Sequence, residues 1–73
     1  MNLKTEIVRT IWSLVETSNP YSLLKLSDRE LSQQLIQKIE KAFSLSSEDS
    51  QTLADYISSK ILLIRDLVDS KIN

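Results

Sequence analysis

Apolar residues recur at steps of three and four along most of this chain, the period of an amphipathic helix. Leu3, Ile7, Val8, Ile11, Leu14 and Val15 lay one broad stripe along a first helix, predicted over 3–18. Trp12 lies at the edge of that stripe, and Glu6, Arg9, Ser13 and Glu16 take the opposite side. Leu31, Leu35, Ile36, Ile39, Ala42 and Phe43 repeat the pattern over 28–43. Leu53, Ala54, Ile57, Ile61, Ile64, Leu67, Val68 and Ile72 repeat it again over 47–72.

Polar positions punctuate these stripes. Proline disfavours the α conformation in the residue before it, so Asn19-Pro20 ends the first helix. Asn suits the cap of a new helix and Pro its first position, so 20–26 is predicted as a short helical segment. Its Leu23, Leu24 and Leu26 would plug one end of the core, and Tyr21 would pack over the end of the first helix with its hydroxyl in water. Ser27-Asp28-Arg29-Glu30 has the form of a capping box, a Ser followed three residues later by Glu. Lys38 and Lys41 fall near the negative end of the helix it opens. Ser46 or Ser47 caps the last helix, with Glu48 and Asp49 in its first turn. Arg65 and Asp69, four apart on that helix, are expected to pair.

The elements add up to an all-α fold, a small helical bundle of three long helices and one short segment, forming a single domain over 1–73. The expected central core is Ile7, Ile11, Leu14, Leu35, Ile39, Phe43, Leu53, Ile57, Ile61 and Ile64, with Trp12 also inside. Composition supports this reading. The 73 residues include no glycine and one proline, too few turn residues for a sheet of this size. Hydrophobic residues make up 41%, which is too many for a disordered chain whose net charge is only −1.

The same composition excludes much chemistry. Without Cys or His there is no disulfide framework, zinc finger or Cys–His nucleophile pair. Without Gly there is no phosphate-binding loop. Ser59-Lys60 are adjacent, which on a helix sends their side chains in different directions, away from a Ser–Lys catalytic geometry. Asp55, Asp66 and Asp69 lack the spacing of a calcium loop. The chain is therefore expected to be no enzyme, with no catalytic residues, no metal and no cofactor.

Nine basic residues are scattered singly among ten acidic ones, and the isoelectric point is near 5.2. That argues against nucleic acid and against an anionic membrane surface as partners. The longest apolar run is Ile61 to Ile64, far short of a membrane span. Met1 reads as a natural N-terminus with no apolar leader behind it, so a cytoplasmic protein is expected.

Glu48-Asp49-Ser50-Gln51 resembles, in one dipeptide, the Asp-Ser-Leu of acyl and peptidyl carrier proteins. Those are acidic four-helix domains whose serine takes a phosphopantetheine arm, and the resemblance implies Ser50 as the attachment point. Gln51 stands where that family has leucine, no glycine precedes Asp49, and only one predicted helix follows. Helix capping accounts for the dipeptide as well.

The last predicted helix spans about 39 Å, against roughly 24 Å for the first and third. Its stripe runs nearly to the end, so Ile64, Leu67, Val68 and Ile72 need cover. The Leu23–Leu26 segment with the start of the first helix, or a second copy of the chain, would supply it. Leu62 lies about 140° from the centre of this stripe, and Leu63 and Tyr56 lie at its edge. Tyr56, Ser59, Leu62, Leu63, Asp66 and Leu67 form a candidate partner surface, for another protein or for a homodimer. The expected function is a small helical protein-interaction or regulatory module. A nucleic-acid-binding or transcription-associated domain and a carrier-like domain are the alternatives.

The capping box is open to a direct check. Ser27→Ala should cost about 1 kcal/mol in urea unfolding. An unchanged stability would mean that the third helix starts elsewhere.

Overall fold

The computed structural model describes residues 4–72. Four helices follow one another: α1 (Thr5–Thr17), α2 (Pro20–Leu24), α3 (Asp28–Ala42) and α4 (Ser47–Ile72). No strand occurs among the described residues.

The helix starts rest on the polar residues that mark them in sequence. Asn19 Oδ1 accepts the amides of Tyr21 at 2.9 Å and Ser22 at 3.4 Å, with Pro20 opening α2. Both halves of the capping box form. The Glu30 amide donates to Ser27 Oγ at 3.2 Å, and the Ser27 amide donates to Glu30 Oε1 at 2.9 Å. The Ser27 amide, and after it the Ser27 hydroxyl, hold the Glu30 carboxyl below its ordinary pKa. Of the two candidate caps for α4, Ser46 takes the role, accepting the Asp49 amide on its hydroxyl at 3.1 Å. Lys4 precedes α1 in extended backbone and offers no side-chain cap.

The ends differ from the sequence expectation by one or two residues. α1 stops at Thr17 and α2 at Leu24, and the expected start at Leu3 lies outside the described residues. α3 stops at Ala42, because Phe43 turns to extended backbone. That turn takes the Phe43 ring off the helical stripe and leaves it half-buried.

α3 and α4 run antiparallel, tied at one end by Ser50 Oγ donating to Glu40 Oε2 at 3.0 Å and at the other by the Arg65–Asp28 ion pair. α1 packs against both, and α2 packs against α4. The long dimension of the molecule, 37 Å, is about the length of α4. Cover for the far half of α4 comes from this chain. Leu23 of α2 is buried in one cluster with Ile64 and Val68. The end of α1 comes up to the last turn of α4, where Lys71 Nζ donates to the Glu16 carbonyl. It is thus the end of α1, and not its start, that assists α2.

The core consists of Ile7, Ile11, Val15, Leu23, Leu31, Leu35, Ile39, Leu53, Ile57, Ile64 and Val68. Leu14 and Ile61, expected at its centre, are half-buried. In α1 the steps of four, Ile7, Ile11 and Val15, point inward and leave Leu14 on the flank. In α4 the inward line runs through Leu53, Ile57, Ile64 and Val68, and Ile61 falls to the side facing α3. Trp12 is also half-buried, and Tyr21, expected to pack over the end of the first helix, is 63% exposed, its amide held by the Asn19 cap while its ring stands in solvent.

Arg65 reaches beyond Asp69, its expected partner. Its Nε donates to Asp28 Oδ1 and its Nη2 to the Leu26 carbonyl. These partners stand where α2 passes into α3, so the guanidinium fork spans the junction. Asp69 also makes an interaction.

Ile39 and Ile57 sit fully enclosed at the middle of this core. Ile39→Ala or Ile57→Ala should each cost about 2–5 kcal/mol. Retention of the native melting temperature by either variant would show that the assigned faces are wrong.

Candidate functional site

Among the described residues no polar or charged side chain is buried, and no buried side-chain nitrogen or oxygen lacks a partner. No group of three or more acidic side chains lies close enough to hold a metal ion among those residues. No described helix is long and apolar enough to cross a membrane. Of the large hydrophobic side chains exposed among the described residues, all but Tyr21 lie on α4.

The six residues singled out on α4 separate into two groups. Tyr56 and Leu67 are half-buried and pack against the core. Tyr56 Oη accepts the Trp12 indole N–H at 3.1 Å, which joins α1 to α4. The Lys60 ammonium lies 5.9 Å from the Tyr56 ring centroid, within range of a cation–π attraction. Ser59, Leu62, Leu63 and Asp66 face solvent. Ser59 Oγ turns back to donate to the Tyr56 carbonyl at 2.7 Å. Leu62 is 71% exposed and Leu63 56%. Apart from Tyr21, they are the only large hydrophobic side chains exposed to that degree among the described residues.

The periodicity of α4 carries this result. Leu62 and Leu63 extend an apolar run whose first and last members, Ile61 and Ile64, turn toward the bundle. A helix turns about 100° per residue, so four consecutive apolar residues cannot all face one core.

A feature that the sequence pattern missed lies beside them. A groove of about 330 Å³ runs between α3 and α4, lined by Asp28, Arg29, Ser32, Gln33, Ser58 and Ile61. Ile61 is the apolar part of its lining. The small Ser32 and Ser58 leave space where larger side chains would have closed the seam. The only sequence signal was an isoleucine with serine three residues before it, and the partner serine comes from another helix. Leu62 follows Ser58 by one turn along the same edge.

The Asp49-Ser50 dipeptide sits in the first turn of α4. The Asp49 amide is bonded to Ser46, and the Ser50 hydroxyl, half-buried, is bonded to Glu40. Both residues thus have structural work to do at the α3–α4 connection.

Tyr56→Phe removes the acceptor of the Trp12 indole and should cost about 1 kcal/mol in urea unfolding followed by tryptophan fluorescence. An unchanged stability would mean that water satisfies the indole equally well. Compared with protein-family models, curated proteins and solved structures, the chain matches none.

Proposed function

We propose that this chain is a non-enzymatic helical interaction module that docks a protein partner on the outer face of α4. One observation carries the reading. Leu62 and Leu63 stand exposed on a helix whose inward line, through Ile57, Ile64 and Val68, is fully covered by its own chain. Their exposure does nothing for the fold. Burying each against a partner would contribute about 1.5–3 kcal/mol, as for other leucines taken out of water. The lack of buried polar groups among the described residues fits a role in surface recognition better than one in catalysis. The two carboxylates in the first turn of α4 disfavour that helix end as a reader of nucleic acid.

The test compares the native chain with a Leu62→Asp, Leu63→Asp double variant by affinity capture from the source cell and mass spectrometry. A discrete protein retained by the native chain and lost with the variant is the expected outcome, with both melting alike by circular dichroism. The same set of proteins on both chains would overturn the reading. So would salt-dependent binding of DNA or RNA at about 50 mM salt.

A further inference from the structure

We propose that the edge formed by Leu62 and the α3–α4 groove receives a basic amphipathic helix of a partner protein. This rests on the reading of α4 as a docking helix and names the chemistry of what docks.

Three observations meet at this edge. Leu62 projects largely exposed, an apolar anchor left mostly uncovered by its own chain. The groove beside it offers about 330 Å³ with Ile61 in its wall, enough to seat one apolar side chain of an incoming helix. The charge around Leu62 has one dominant sign. On the helical wheel its flanks carry Asp55, Asp66 and Asp69 against Arg65, while Lys60 lies on the far side over Tyr56. Asp55 and Asp66 are exposed, and Asp55 accepts only the neighbouring Gln51 amide among the bonds resolved for it.

Two guanidiniums stand at the same edge. Arg65 is engaged with Asp28 and the Leu26 carbonyl, which leaves Arg29 as the one cation lining the groove. An apolar anchor rimmed by carboxylates complements a helix with leucine-type residues on one face and Lys or Arg flanking them. A second copy of this chain is a poor occupant. A two-fold pair would set this edge against itself, with carboxylates outnumbering the guanidiniums that could meet them. Nucleic acid and anionic lipid are repelled by the same charges.

The test uses the full chain, isotopically labelled, and model helices of about 18 residues with identical leucine faces flanked by either Lys or Glu. Amide NMR reads the binding site. The Lys helix should shift Ser58, Ile61, Leu62 and Asp66, and its affinity should fall as salt rises. Leu62→Ser should weaken it about tenfold, as should Asp55→Asn combined with Asp66→Asn. Glu6→Gln, an exposed acid on α1, should leave the affinity unchanged.

Equal binding of the Glu helix would overturn the proposal. So would shifts centred elsewhere, or a loss on Glu6→Gln as large as on the double Asn variant. If the Lys helix moves no amide while capture of a native partner still depends on Leu62 and Leu63, the charge assignment fails and the docking role of α4 stands. If both fail, both readings fall.

Discussion

The burial of α4 is the constraint around which the other helices are arranged. Its 26 residues carry an apolar line about as long as the molecule, while α3 has 15 residues and α1 has 13. No single helix of that size can cover the line. The chain solves this by breaking at Asn19-Pro20 and inserting α2, whose buried Leu23 joins Ile64 and Val68. Asn19 caps this insertion and Ser27 caps the helix after it, and Arg65 fastens its far end to α4. A straight continuation of α1 into α3 would leave the far half of α4 without cover.

The helices were legible because their signals are local. Capping boxes, Asn-Pro and the spacing of Ile, Leu and Val act within a few residues, and no β pairing competes with them. The centre of the core was less legible. Leu14 and Val15 are neighbours on one stripe, and the choice between them depends on the angle at which α1 meets α3 and α4. Ile61 lies on the α4 stripe by period and is displaced from the centre because α3 approaches from that side. Arg65 shows the same limit for charge. Its sequence neighbour Asp69 was visible, and Asp28 with the Leu26 carbonyl came within reach only when the α3–α4 hairpin closed.

The candidate surface was legible in part and for a similar reason. An apolar run longer than one helix face must leave something outside, so Leu62 and Leu63 could be found from period alone. Tyr56 was read with them, and the structure gives its hydroxyl to Trp12 from another helix. The groove had no local signal. It exists because Ser32 and Ser58, far apart in the chain, meet across a seam that neither fills.

The backbone of the connectors has a consequence for how this chain tolerates change. No non-glycine residue takes a positive φ among the described residues, and the sequence has no glycine. Every turn is built from conformations open to any side chain. Replacement of a connector residue such as Ser44 therefore meets no steric veto from the main chain. Proline is the exception, since it fixes φ and removes an amide, while glycine would only widen the freedom of the unfolded chain. Within these connectors the fold depends on particular side chains, the caps Asn19, Ser27 and Ser46 and the core-packed Leu26 and Leu45, and not on any special backbone shape.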